Sequence, residues 1–422
     1  MDKGMNVLYN AFMKAEIITV GTELLLGHIV NTNAAFLSRK LAEAGIDLYY
    51  QSTVGDNPSR LSDALRRGVE RSDLIILTGG LGPTVDDITI ETVASFLGRR
   101  LAVNHAVLRN LKGYFKMRGF ALPAGSERQA LIPEKTAWIR NRVGTAPGLV
   151  IEYLGKTIVC LPGPPRELEP MFGLDVIPML KRRFKSTWVI VSRTIRTTGQ
   201  PESRINVMVK DLLELKPPTT VGIYAKLGEV DLKIMAKAKN KKMALRRITK
   251  IEAIIGKRLK KHIFGYGRDT LESAVGALLT KRKKRIALAE SCTGGLITHR
   301  LTNVSGSSKY LTMSAVTYSN EAKIKVLGVP QELIAAHGAV SRQVALAMAR
   351  GVRSTAGVDM GLAVTGIAGP TGGTKNKPIG LVYIAFVSSR RRIVKEIRFR
   401  GTREEIKFQA SQSALDLVRR NI

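Results

Sequence analysis

Residues 290–295, Glu-Ser-Cys-Thr-Gly-Gly, put a hydroxyl, a thiol and paired glycines into six positions. Ile-Ala-Leu-Ala precedes them with the pattern of a buried strand, and Leu-Ile-Thr-His-Arg-Leu follows with the pattern of a helix. A hydroxyl at such a strand end can be exposed for attack, and the free first-turn amides of the helix can hold an anion or a developing oxyanion. A serine needs a base before it becomes a nucleophile. His299 has no fixed direction toward Ser291, so Lys323 is the stronger candidate base. Lys323 closes the run Val316-Thr-Tyr-Ser-Asn-Glu-Ala-Lys323 near the start of a helix, where crowding by other cations would lower its pKa. Tyr318, at the preceding strand end, can relay or donate a proton.

A third segment, Val364-Thr-Gly-Ile-Ala-Gly-Pro-Thr-Gly-Gly373, is too rich in glycine for a helix. Thr365 can hold a substrate amide there, and Gly366, Gly369, Gly372 and Gly373 can wrap a phosphate. Thr293, Gly294 and Gly295 add contacts from the serine turn, and Arg403 can pair with an anion from the first turn of the last helix. Each residue also has a plain structural use. Ser291 and Thr293 can cap a helix, Tyr318 can sit in the core, Lys323 can be solvated, and Cys292 can be a small buried residue. Together the segments favour a site, because all of them fall at strand ends.

The first half carries a second constellation. Thr78-Gly-Gly-Leu-Gly-Pro-Thr-Val-Asp-Asp-Ile-Thr89 ends a strand and enters a helix. Gly79, Gly80 and Gly82 let amides approach a phosphate, and Thr84 with Asp87 can cap the helix. The same glycines also suit a tight strand-to-helix turn. Gly21-Thr-Glu23 and Pro162-Gly163-Pro-Pro165 end two further strands, so three loops converge on one crevice. Glu23, Asp86 and Asp87 suit a divalent cation in pyrophosphate hydrolysis, and Asp86-Asp87 equally suit the positive end of a helix.

The elements that hold these loops follow from periodicity. Strand patterns at 15–20, 47–54, 74–78 and 156–161 alternate with helix patterns at 32–44, 59–70 and 84–97, which predicts a three-layer α/β domain over 14–173 with a largely parallel sheet. Residues 187–265 read as a small α+β domain. It has a strand at 188–196, a helix at 201–215 stopped by Pro217-Pro218, a hairpin at 221–225 and 230–238, and a basic helix at 242–259. Residues 268–422 return to α/β, with a helix at 270–281 and strands at 285–289, 313–318, 360–365, 381–387 and 393–398. Thr402 and Glu405 form a capping box on the last helix.

The 422 residues include two cysteines, Cys160 and Cys292, which suits a reducing cytoplasm rather than a disulfide framework. Five scattered histidines lack zinc spacing. No apolar run reaches the ~18 residues of a membrane span. The opening residues lack a signal peptide's apolar core, and residues 1–12 are expected to be a dispensable extension or a misassigned start. A net charge of +33 would gather phosphorylated ligands and give nonspecific nucleic-acid binding, although a solvated basic face accounts for most such runs.

The Thr-Gly-Gly-x-Gly, Asp-x-Thr and Pro-Gly-x-Pro runs of the first half resemble the molybdopterin-binding domain family. Asp86 stands where many of its members carry a base. The whole pattern, from Gly-Thr-Glu-Leu-Leu-Leu-Gly through the Ser291, Lys323 and Gly366 segments, resembles the CinA family over residues 14–419. That resemblance implies three parts. They are a molybdopterin-binding-like domain with ADP-ribose pyrophosphatase activity that needs a divalent metal, a KH-like connector, and a nicotinamide-nucleotide amidase domain that needs no cofactor. It implies that Ser291, Tyr318 and Lys323 are catalytic, with Thr365 and Arg403 on the substrate side. The implied ligands are nicotinamide mononucleotide and ADP-ribose, and a homodimer is expected. Where a KH module carries Gly-x-x-Gly, this chain has Gly256 but Leu259, so specific nucleic-acid binding is not expected. The other readings are a pterin- or nucleotide-binding protein without turnover and a nucleic-acid-associated competence factor.

Overall fold

A computed structural model describes residues 13–184 and 188–422; the suggested extension at 1–12, and residue 187 at the start of the middle segment, lie outside them. The chain divides into two compact units, and most of the middle segment groups with the C-terminal part.

In the first unit the strands are β1 (Lys14–Val20), β2 (Asp47–Val54), β3 (Leu74–Thr78), β4 (Leu101–Val103), β5 (Leu131–Pro133), β6 (Ala137–Ile139), β7 (Gly148–Tyr153) and β8 (Lys156–Leu161). Six of them form one sheet in the order β2-β1-β3-β8-β7-β6, parallel as far as β8 and antiparallel through β7 and β6. β4 and β5 pair separately. Every residue of β3 is buried, as a strand covered on both faces requires. Ile17 and Ile76 pack with Leu37, Leu41 and Phe172 on one face, while their neighbours Ile18 and Ile75 pack with Leu61, Leu65 and Val93 on the other. That alternation makes the three layers.

One expected helix is shorter than its pattern. It spans Thr89–Phe96, not 84–97, and its N-cap residue Ile88 makes no side-chain cap. Asp87 is turned back instead. Its Oδ2 accepts from the Thr84 amide at 2.9 Å and the Thr84 hydroxyl at 2.5 Å, closing a loop ahead of the helix. The helix is anchored by Thr89, whose amide donates to Gly80 O and whose hydroxyl donates to Gly79 O.

The second unit holds an antiparallel group and a mixed sheet. β9 (Val189–Thr198, its start in the first unit), β10 (Thr219–Lys226), β11 (Glu229–Ala238, its end in the first unit) and β12 (Ile263–Tyr266) run in the order β10-β11-β9-β12. The basic helix Lys241–Leu259 runs without a break through Gly256 and Leu259, so no nucleic-acid-clamping loop interrupts it. β13 (Ile286–Glu290), β14 (Leu311–Val316), β15 (Met360–Gly366), β16 (Leu381–Ser388) and β17 (Arg392–Arg398) form a sheet in the order β14-β13-β15-β16-β17. β13 is parallel to both neighbours, and β16 and β17 are antiparallel. β14 and β15 follow β13 in sequence yet lie on opposite sides of it. The carboxyl end of β13 is therefore a topological switch point, where an open α/β sheet leaves a crevice. Ser291 is the first residue beyond that end. The capping box of Thr402 and Glu405 opens the last helix, Arg403–Asn421.

Candidate active sites

At the end of β13 the Ser291 residue is 8% exposed and Lys323 1% exposed. Lys323 Nζ lies 3.3 Å from Ser291 Oγ and also reaches the carbonyls of Thr317 at 2.9 Å, Tyr318 at 3.1 Å and Ser319 at 3.4 Å. An ammonium has three hydrogens for these four oxygens. A neutral amine can give two to carbonyls and turn its lone pair to the serine hydroxyl. Burial pushes the Lys323 pKa below its ordinary value, against the opposing pull of Cys292 and Glu321. Desolvation is thus the cause, not the expected crowding by cations. A lysine this deeply covered is not a solvated side chain.

The turn after Ser291 corrects a second expectation. The helix Leu296–Thr302 does not offer free amides. The Glu290 carboxylate, wholly buried, accepts from the amides of Gly295 at 3.0 Å, Ile297 at 3.2 Å and Thr298 at 2.8 Å, and from the Thr298 hydroxyl at 2.6 Å. The Gly294 amide donates to Ser291 O, so neither glycine amide is left for a phosphate. The Thr293 amide has no acceptor among the described residues, whereas the Cys292 amide faces its own thiol. Capping by Glu290 also removes the need for Ser291 to cap. Replacing Glu290 with Ala is expected to cost about 3 kcal/mol of stability, because it strands several buried donors at once. A denaturant titration reads this as a lower midpoint.

Tyr318 is 62% exposed, so it is not a core tyrosine. Its hydroxyl accepts from Arg403 Nη2 at 3.0 Å, and Arg403 Nη1 donates to Gly369 O at 2.6 Å. Arg403 thereby joins the Tyr318 ring to the glycine loop, while the Tyr318 hydroxyl bonds to neither Ser291 nor Lys323. Thr365 is buried and donates its hydroxyl proton to Ala339 O at 2.9 Å, so that proton is spent. At Gly366 a Cβ would stand 2.7 Å from Leu381 O, so this glycine serves the approach of β16. Gly372 lies exposed in the same loop. His299 is exposed, and among the described residues its ring bonds to Asn303 and not to Ser291. The Cys292 thiol is pushed up to about 12 by burial, which leaves it protonated and a poor nucleophile.

In the first unit, the ends of β1, β3 and β8 line a cleft of about 370 Å³. Glu23, Asp86, Asp87, Gly79, Gly80 and Gly163 line it, whereas Gly82, Thr84 and Pro162 do not. Pro162 instead offers its carbonyl to the Thr78 hydroxyl. Gly79 has φ +104°, and a side chain there would run into Val20 O, so only glycine allows the β3 loop this close to β1. Asp86 is held below the usual carboxylate range by the Thr84 hydroxyl and its own amide. Among the described residues no three acidic, imidazole or thiol groups gather as a metal's ligand set, and Asp87 is already engaged by Thr84. The carboxylates fit a hard cation that brings most of its oxygens with a ligand's phosphates, as Mg²⁺ does.

Three family matches cover most of the chain. Residues 16–182 match a probable molybdopterin binding domain, residues 192–265 the damage-inducible protein CinA KH domain, and residues 268–422 the CinA C-terminal domain. A putative competence-damage inducible protein of Caldicellulosiruptor bescii is 46% identical over 410 residues, 97% of this chain and 99% of the relative. The chain belongs to the CinA family. A CinA-like protein of Kosmotoga olearia is 47% identical over 408 residues, 97% of this chain and 98% of that one. A solved structure described as the protein CinA with unknown function, from Thermoplasma acidophilum, is 36% identical, has a TM-score of 0.38, and covers 42% of this chain and 99% of its own.

In this CinA-family chain four residues beyond the expected set stand at the two sites. Glu290 holds the serine turn, and Thr317 gives Lys323 a carbonyl. Lys407 brings its amine to within 3.6 Å of where a Gly294 Cβ would be. In the first unit Asn33 donates to Gly163 O at 2.6 Å and to Thr78 Oγ1 at 3.2 Å, while its Oδ1 is buried beside the cleft without a partner among the described residues. Asn33 had one sequence signal, its place in Asn31-Thr-Asn33 at a helix start. Glu290 and Thr317 lie inside the 290–295 and 316–323 runs without a role of their own there, and Lys407 gave no signal. No helix among the described residues is long and apolar enough to cross a membrane.

Proposed function

We propose that the C-terminal region is a serine–lysine amidase that converts nicotinamide mononucleotide to nicotinate mononucleotide and ammonia. The observation that carries this reading is the 3.3 Å approach of a buried Lys323 Nζ to Ser291 Oγ at a sheet switch point. The choice of an amide substrate rests on the family resemblance; the geometry itself supplies a base-activated serine for acyl transfer. Lys323, as a neutral amine, takes the Ser291 proton while Oγ bonds to the carboxamide carbon. The resulting oxyanion has the uncommitted Thr293 amide as a donor. Lys323 then passes the proton to the amide nitrogen, the C–N bond breaks, and ammonia leaves an ester on Ser291. Water attacks that ester with Lys323 again as base, releasing the acid and restoring the serine. Arg403 and Tyr318 supply a cation and an aromatic face beside the glycine loop for the rest of the nucleotide.

For the N-terminal domain the same proposal assigns hydrolysis of ADP-ribose to AMP and ribose 5-phosphate. A bound divalent cation would neutralise pyrophosphate charge there. Glu23 and Asp86 would hold it, the Asn33 amide oxygen would accept from the ligand, and Ile29 and Val30 give the cleft an apolar side. Chromatography of products from purified protein tests both activities. Nicotinamide mononucleotide should be consumed with or without added Mg²⁺, and ADP-ribose only with a divalent cation. Tight binding of either compound by folded protein without product would favour a binding protein instead.

A further inference from the structure

Three strand ends meet side by side at the serine. Glu290 pairs in register with Val316 on β14 and Val364 on β15. One residue on, the Thr317 amide donates to Glu290 O at 2.9 Å and the Ser291 amide to Val364 O at 3.0 Å, so the ladder continues. Thr317, Ser291 and Thr365 therefore form a row of hydroxyl residues across the sheet, and residues in register project from the same face. All three are buried, Thr317 and Thr365 at 1% exposure each. Ser291 Oγ meets Lys323, and the Thr365 hydroxyl is spent on Ala339. The Thr317 hydroxyl alone in the row has no partner among the described residues. A buried hydroxyl left unpaired costs stability, so it calls for a group that arrives with a ligand.

We propose that the Thr317 hydroxyl binds the carboxamide nitrogen of the substrate, its oxygen accepting one amide N–H beside Ser291. The inference rests on the amidase reading and adds the residue that recognises the leaving group. Position decides between the two ends of the amide. The nitrogen must finish near Lys323 to receive a proton, and Thr317 is on that side, since its own carbonyl takes a hydrogen from Lys323 Nζ. Thr365 is on the opposite side of Ser291. The amide oxygen has the Thr293 amide. A carboxylate product has no N–H to offer, so this contact favours substrate over product and holds the nitrogen where it can leave as ammonia.

The test compares wild type, Thr317→Val and Thr317→Ser on nicotinamide mononucleotide and on the methyl ester of nicotinate mononucleotide, which lacks amide hydrogens. Unfolding temperatures are recorded alongside. Thr317→Val should lose roughly 10- to 100-fold in kcat/KM on the amide and change little on the ester. Its unfolding temperature should equal or exceed that of wild type, because valine replaces an unpaired hydroxyl by a methyl group. Thr317→Ser should recover most of the amide activity. Equal losses on amide and ester, full amide activity in Thr317→Val, or a drop in unfolding temperature would each overturn the inference. A wild type that releases no ammonia removes the amidase reading and the inference with it. An active wild type with an indifferent Thr317→Val overturns the inference alone.

Discussion

Replacing Lys323 with Met is expected to slow ammonia release from nicotinamide mononucleotide by ~10³- to 10⁴-fold while the protein stays folded. Met keeps much of the apolar stem and removes only the amine. The pH dependence gives the prediction its sign. Burial lowers the Lys323 pKa in the folded protein, so the active neutral amine accumulates at a lower pH than for a free lysine. In wild type, kcat/KM should climb with pH through that lowered value and level off above it. The rising limb should be missing from whatever activity Lys323→Met retains. Stability follows the same group. Between the folded and unfolded values the unfolded chain binds more protons, so wild-type stability rises with pH across that window. Below the folded value both states are protonated, and the full cost of burying the charge is present and constant. Lys323→Met should lose this part of the pH dependence. Parallel kinetic and denaturant titrations over alkaline pH would show both effects.

Replacing Ser291 with Ala is expected to lower the rate by about 10⁴-fold or more, since it removes the atom that bonds to the substrate. The two residues act as a unit, so Ser291→Ala/Lys323→Met should be no slower than the slower single variant. Ser291→Cys should not rescue the reaction. Cys292 itself packs in the apolar core, where burial pushes its thiol up to about 12, so it cannot stand in for Ser291. A cysteine at 291 would depend on Lys323 just as the serine does. Initial rates of ammonia release from the three single variants and the double variant would establish the pattern. Losses that multiply in the double variant would mean that serine and lysine act independently.

Much of the fold was legible because apolar runs and glycines share one physical cause, a covered sheet with close loops at its carboxyl ends. The strand 286–290 and its turn illustrate this, as does the capping box at Thr402. The Thr84–Asp87 pair shows the limit. A threonine followed three residues later by an acid opens a helix if the chain continues, but closes a turn if the acid folds back on the threonine. Here Thr89 bonds to Gly79 and Gly80 and sets the helix start five residues beyond the expected Thr84, past the Asp-Asp pair. Lys323 and Lys325 share one helix, Asn320–Leu327, yet only packing buries the first and exposes the second. Glu290 was the hardest to see. A charge ending an apolar strand suggests solvent, and its capture of three amides and a hydroxyl depends on a turn that only the folded chain defines. Gly256 and Leu259 were readable for the opposite reason, because an unbroken helical pattern leaves no place for a clamping loop.

The central claim is that Ser291 attacks an amide. Its most direct test is ammonia and nicotinate mononucleotide formation from nicotinamide mononucleotide, with wild type and Ser291→Ala at equal folded concentration in the presence of a chelator. Wild type should form the two products in equal amounts, and Ser291→Ala should form neither above background. Ammonia from Ser291→Ala at the wild-type rate, or none from folded wild type, would contradict the account.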